Sequence, residues 1–218
     1  MISQKSPNNF YAKAKDVFNR VQMIRWGLTR RFFELRVDRR LGIDTCGKAD
    51  INWNLSSNRD AVGYAATRYK ELQKIIHYLK LTPQDVFVDF GCGKGRVVFF
   101  ISTQGVKKVV GLELDPVLMN NARKNLQTMK VKHSPIELIE GDAINYDLKE
   151  ATVLFFYNPF GSKTLQTIVD HLKKSLNVHP RQIRILYKNA IERVVLDNTS
   201  WLKMEGPIED SEIFVWRN

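Results

Sequence analysis

Apolar positions along this chain follow two alternating spacings from residue 60 onward. Tyr69, Leu72, Ile75, Ile76 and Leu79 recur every three or four residues and predict a helix over roughly 65–80, closed by Thr82 and Pro83. An unbroken apolar run over 85–90 predicts a buried strand, followed by a helix from about 95 to 103 and a strand over 108–114. The next helix runs from Pro116 to about Met129, with the proline in the first turn, where its missing N–H costs nothing. A strand at 136–140 precedes the almost wholly apolar stretch 151–157, the pattern of a central parallel strand. A helix over about 162–176 and a strand at 184–187 continue the alternation. The tail differs: 201–205 and 212–216 read as two strands, joined by a turn beginning at Gly206 and Pro207. Five β–α units and a terminal hairpin predict an α/β fold with a mostly parallel sheet and an antiparallel C-terminal hairpin.

Residues 1–60 have another character. Val17, Val21, Ile24, Leu28, Phe32 and Leu35 fall on one face of a predicted helix, with Arg20, Arg25, Arg30, Arg31, Arg36, Arg39 and Arg40 on its flanks. Gly42 and residues 44–47 read as a stop and a loop. Residues 1–60 are therefore expected to form a basic helical extension, and 61–218 the sheet domain.

The chain has 218 residues, enough for one α/β domain with an appendage, and a formal net charge of +11. Twelve Lys and Arg against six Asp and Glu give residues 1–60 a net of +6, so much of the excess lies in the extension. That balance suits an anionic partner, either nucleic acid or a membrane surface with Trp26, Phe32 and Phe33 set among the arginines. The alternative is an amphipathic helix packed over the cleft with its arginines solvated. Cys46 and Cys92 alone exclude a disulfide framework and a cysteine zinc cage. His77, His133, His171 and His179 have no ligand-like spacing, so no metal is expected. No transmembrane segment is expected, since no run reaches the roughly 18 apolar residues of a membrane span. The opening residues also lack a signal-peptide core. A cytoplasmic setting is the expectation, with peripheral contact at a membrane surface open to the basic helix.

The chemistry concentrates at the predicted strand ends. Residues 86–96 pass from an apolar run through Asp89 to glycines at 91, 93 and 95, a turn stripped of side chains so that a ligand can approach the backbone. A dinucleotide fingerprint wants glycine at 96, where this chain has Arg96. Asp89 and the alternate spacing favour a nucleoside carrying an amino acid instead. Cys92 suits the turn as a small packing residue better than as a nucleophile. Glu113 stands at the next strand end, twenty-two residues beyond Gly91, where a carboxylate can accept from both ribose hydroxyls. Asp142, followed by Ala143, ends the third strand and suits an adenine amino group, or else a helix cap. Tyr157, Asn158, Pro159 and Phe160 follow the fourth strand, as a reacting-group site or as a simple turn.

Together, residues 88–95, Gly111 to Glu113, and Gly141 to Ala143 make the chain resemble the class I S-adenosylmethionine-dependent methyltransferases across roughly residues 62–218. The resemblance implies a Rossmann-like, seven-stranded sheet. It implies S-adenosyl-L-methionine as cofactor, with methionine contacts around Asp89, Gly91, Cys92 and Gly93, ribose contact by Glu113, and adenine contact by Asp142 and Ala143. Tyr64 and Thr67 are similar to a Tyr-and-Thr stretch that protein-lysine methyltransferases of this class fold over the cofactor. The segment 157–160 is similar to the motif of relatives that methylate amino nitrogens, although those carry two prolines where this chain has only Pro159. In them Asn or Asp oxygens accept from the target amine and an aromatic residue holds it, roles that would fall to Asn158 and Phe160. Tyr157 could help to shed a proton. Residues 39–45 and 157–160 are also shared with small bacterial-type methyltransferases. The implied activity is methyl transfer, with nitrogen as the favoured acceptor atom and protein lysine ahead of RNA and small molecules as acceptor. A catalytically inactive scaffold that keeps the fold, and a nicotinamide oxidoreductase disfavoured by Arg96, are the alternatives.

Overall fold

The computed structural model describes Thr29, residues 31–46 and residues 65–218. Tyr64, the apolar positions Val17, Val21, Ile24 and Leu28, and Arg20, Arg25, Trp26 and Arg30 lie outside the described residues. Helix α1 covers 31–41 and leads through a short strap, 43–46, to the segment that begins again at Ala65. Then come α2 (Tyr69–Leu79), β1 (Val86–Phe90), α3 (Arg96–Ser102), β2 (Lys108–Glu113) and α4 (Pro116–Thr128). After them follow β3 (Ile136–Glu140), a 3-10 turn (Ala143–Asn145), β4 (Val153–Tyr157), α5 (Ser162–Val178) and β5 (Arg184–Lys188). A short helix α6 (Val194–Asp197) and the strands β6 (Lys203–Pro207) and β7 (Ile213–Arg217) complete the order.

Seven strands form one sheet in the order β3-β2-β1-β4-β5-β7-β6. The first five are parallel, and β7 runs antiparallel between β5 and β6. Strand β1 is buried along its whole length because helices cover both faces of the sheet. Its side chains alternate. Phe87 joins Leu72, Ile75, Val98, Ile101, Met119 and Ala122 on the face covered by α2, α3 and α4. Val86, Val88 and Phe90 join Leu165, Ile168, Val169, Leu172 and Leu196 on the face covered by α5 and α6. Each large side chain buried this way is worth about 1.5–3 kcal/mol, so the two layers hold the strand ends of β1, β2 and β4 in fixed register.

Three local features depart from the pattern read in the sequence. The first helix of the sheet domain starts at Tyr69 and not near 65: Arg68 is extended, with φ −70° and ψ 145°, and donates its N–H to Glu71 at 3.0 Å. Helix α1 packs on a face rotated from the predicted one. Phe32 is 65% exposed, while Glu34, Asp38 and Leu41 are buried and Phe33 and Val37 rest on the core. Two acids on the inner face pair with a buried arginine, a partner that apolar periodicity does not count. Finally, β6 continues through Gly206 and Pro207, and the turn lies at Ile208 to Glu212. An edge strand accepts this proline because the ladder needs its N–H on one side only.

Candidate functional site

The strand order reverses between β1 and β4, and the crevice outside their C-terminal ends is where ligands bind in open α/β sheets. The glycine turn after β1 lines it. Gly91 and Cys92 both donate N–H groups to the Leu112 carbonyl at 2.9 Å, and Gly95 donates to Cys92 at 2.9 Å. Gly91 has φ +80°, and a Cβ there would meet the Pro159 Cβ at 3.0 Å. Gly95 has φ +89°, and a Cβ would lie 2.4 Å from the Phe99 ring that packs beneath it. Both positions thus need glycine for conformation and for space.

Glu113 ends β2 and holds the turn from the side. Its Oε2 accepts the Gly93 N–H at 2.8 Å, and its Oε1 accepts those of Leu114 and Asp115 at 2.9 Å each. Burial pushes its carboxyl above the usual range, against the pull of these amides. Asp89, at the end of β1, is 2% exposed, and its Oδ2 has no hydrogen-bond partner among the described residues. Burial first, and the Glu113 charge second, raise its pKa well above the ordinary carboxylate value. The same causes, with Asp89 itself, raise the Cys92 thiol, so this cysteine is kept as a neutral packing group.

A small pocket is lined by Ala65, Ala66, Thr67, Asp89, Gly91, Cys92, Arg96, Val97, Phe155 and Tyr157. It thus gathers Thr67, Asp89, Gly91, Cys92 and Tyr157 from the residues singled out in the sequence, while Gly93 and Glu113 join through their mutual hydrogen bond. Asp142 and Ala143 stand one strand further out, reached through Gly141, whose N–H donates to the Glu113 carbonyl at 2.9 Å. Asp142 also caps the 3-10 turn by accepting the Ile144 N–H at 3.2 Å.

After β4, Asn158 takes a left-handed backbone conformation with φ +42° and is buried. Its Oδ1 accepts from the Tyr187 hydroxyl at 3.2 Å. Phe160 sets its ring edge against Phe156, with centroids 5.8 Å apart. Tyr157 lies under the Lys188 ammonium, 4.2 Å from its ring centroid, and Lys188 in turn pairs with Glu71 at 2.5 Å. Neither Lys188 and Glu71 nor the pocket role of Arg96 follows from the sequence pattern. The only hint was an arginine heading an otherwise apolar helix, with two acids four residues apart upstream. Among the described residues no group of three or more His, Cys, Asp and Glu could hold a metal ion, and no helix is long and apolar enough to cross a membrane.

A seven-stranded sheet in this order, with a glycine turn after β1 and an acid ending β2, is the fold of the class I S-adenosylmethionine-dependent methyltransferases. The family model described as "Histone methylation protein DOT1" matches residues 56–187, more than half of the chain, and the chain belongs to that family. A "Histone-lysine N-methyltransferase, H3 lysine-79 specific" of Caenorhabditis elegans is 36% identical over 123 residues, covering 50% of this chain and 13% of that protein. A "Protein-lysine N-methyltransferase" of Saccharolobus islandicus is 28% identical over 97 residues, covering 44% of this chain and 60% of that protein. The chain therefore spans less than two thirds of either relative. Among solved structures, an RNA methyltransferase from Salinibacter ruber in complex with S-adenosyl-L-homocysteine superposes with a TM-score of 0.50 at 23% identity, covering 70% of this chain and 92% of that one. That likeness concerns the fold.

The residues present fit S-adenosylmethionine. Its methionine ammonium offers donors to the buried Asp89 Oδ2, which has no hydrogen-bond partner among the described residues, and Asp89 lines the same pocket as Gly91 and Cys92 of the glycine turn.

Proposed function

We propose that the chain transfers the methyl group of S-adenosylmethionine to the side-chain nitrogen of a lysine in a protein. The single structural observation beneath the reading is Asp89, a buried carboxylate lining the pocket beside Gly91, whose Oδ2 has no hydrogen-bond partner among the described residues. The family match and the printed activities of the worm and archaeal relatives support lysine as the acceptor.

The bound donor supplies a methyl carbon on a sulfonium, open to in-line displacement by a neutral amine. The protein's task is then alignment and exclusion of water, and alignment can be worth about 7–11 kcal/mol. In this reading Asp89 anchors the donor ammonium, with Thr67, Gly91, Cys92 and Gly93 around the methionine chain. Glu113 accepts from the ribose hydroxyls, while Asp142 and Ala143 border the adenine. The oxygens of Asn158 accept from the incoming amine and aim its lone pair, Tyr157 and Phe160 wall the acceptor, and Pro159 seats this segment on Gly91. Tyr157 is also the group through which a proton could leave the amine.

RNA is the second acceptor reading, favoured by the net charge of +11. Incubating the full chain with cell lysate and methyl-labelled S-adenosylmethionine separates the two. Label that survives ribonuclease and appears as methyl-lysine after acid hydrolysis supports the proposal. Label released by ribonuclease overturns lysine in favour of RNA, and no incorporation beyond a chain-free control overturns methyl transfer itself.

A further inference from the structure

Arg96 is the first residue of α3 and only 5% exposed, although a charge there is doubly costly. A cation at a helix N-terminus opposes the helix dipole, and a buried guanidinium loses several kcal/mol of hydration. The surrounding groups offset this with acceptors and an aromatic ring drawn from four separate segments. From α1, Glu34 Oε2 accepts one guanidinium N–H at 2.6 Å, and Asp38 Oδ2 lies 3.8 Å from the other terminal nitrogen. From the strap, Thr45 Oγ1 accepts the Nε–H at 2.7 Å and Cys46 Sγ accepts at 3.1 Å. From the pocket wall, the Thr67 carbonyl accepts at 3.4 Å. From α2, the Tyr69 ring lies beneath the guanidinium at 4.8 Å.

The partners are themselves cross-linked. Asp38 accepts the Thr45 N–H at 2.7 Å and hydroxyl at 2.9 Å, and also the Tyr69 hydroxyl. Glu34 Oε1 accepts the Tyr69 N–H at 3.4 Å. The strap is fixed to the far side of the glycine turn by Asn125, whose amide accepts from the Asp44 N–H at 2.8 Å and donates to the Asp44 and Lys94 carbonyls at 3.1 and 3.0 Å. Burial opposes the Arg96 charge, but Asp38, Tyr69, Cys46 and Glu34 outweigh it and hold the group cationic. Ala65, Ala66 and Thr67 line the same pocket as Asp89 and lie outside any helix or strand, and the Thr67 carbonyl ties them to this network.

We propose that Arg96 is a positioning residue for the methyl donor: it ties α1, the strap and residues 65–67 to the end of the glycine turn, and so fixes the part of the pocket lining that residues 65–67 supply. Apolar residues in place of Arg96, Glu34 and Asp38 together could fill the same volume at no electrostatic cost. A rigid five-donor fork instead specifies a single arrangement of three chain segments. The inference rests on the reading of this crevice as a donor site.

The test uses the full chain and S-adenosyl-L-homocysteine as the probe, with calorimetric Kd values taken well below each variant's unfolding midpoint. R96K keeps the charge and loses the fork, R96M loses both, and E34Q removes one acid. A Leu172→Val variant in α5, on the opposite face of the sheet, is the control for lost stability. The expected result is a Kd raised tenfold or more in R96M, a smaller rise in R96K and E34Q, and no change in Leu172→Val. If R96M does not fold, R96K and E34Q decide alone. Folded R96K and E34Q variants with the wild-type Kd overturn the positioning role while leaving the donor site intact. A wild-type chain that does not bind the probe overturns the donor-site reading, and the positioning role with it.

Discussion

The Gly93 N–H donates to Glu113 Oε2 at 2.8 Å, so the acid that ends β2 also holds the glycine turn that follows β1. One carboxylate thereby shapes the proposed donor crevice from two adjacent strands. Glu113→Gln keeps the volume and one acceptor oxygen but turns an NH2 group towards a backbone N–H. The expected cost is about 1–3 kcal/mol in stability and at least a tenfold loss in S-adenosyl-L-homocysteine affinity, measured by urea unfolding and calorimetry.

Asp89 yields two predictions of opposite sign. Its folded-state pKa lies above the ordinary 3.8, so the ligand-free protein gains stability as pH falls through the raised value towards the unfolded one. Asp89→Asn should therefore melt a few degrees higher than wild type at neutral pH, where about 1 kcal/mol corresponds to roughly 2–4 °C for a chain of this size. Differential scanning calorimetry without ligand checks it; a lower midpoint would contradict the assigned shift.

Ligand binding reverses the preference, because an ammonium favours the ionised carboxylate. Affinity for S-adenosyl-L-homocysteine should fall as pH falls through the raised Asp89 pKa, with proton release on binding in that window. Asp89→Asn should bind more weakly and with a flatter pH profile. Titrations in buffers of differing ionisation enthalpy report the proton count.

Asn158 joins a strained backbone to a hydrogen-bonded side chain. Removing the hydroxyl in Tyr187→Phe frees its Oδ1, a loss of about 0.5–1.5 kcal/mol. The expected effect is a roughly three- to tenfold fall in turnover with donor affinity unchanged. Asn158→Gly relieves the left-handed backbone and Asn158→Ala does not, so comparing them in steady-state assays separates conformation from side-chain chemistry.

Lys188 is 4% exposed and depends on Glu71 for its counter-charge. Lys188→Met leaves the acid without its partner and should destabilise by about 3–5 kcal/mol. Adding Glu71→Gln should recover part of that loss in a double-mutant cycle by chemical denaturation.

Much of this was legible in the sequence because it rests on local physics. The apolar run of β1, the three alternate glycines and the acids at the ends of β1, β2 and β3 announce themselves by spacing alone. Residues 65–67 did not, since Ala65 and Ala66 favour helix, yet the helix begins only at Tyr69. Glu34 and Asp38 went unnoticed because nothing local reveals that Arg96, some sixty residues later, pairs with them. Lys188 was equally opaque: a lysine at a strand end usually points to water, and its buried charge is met by Glu71 from the distant helix α2.

The position of β7 between β5 and β6 has a consequence for synthesis. Strand β5 leaves the ribosome with β4 already available on one side, but its other neighbour is encoded some twenty-five residues later. Until Ile213 to Arg217 emerge, the backbone edge of β5 stays bare and able to pair with any extended segment nearby. A nascent chain arrested between these strands should therefore be a better chaperone client than one released after the last, even though both already carry the whole glycine turn.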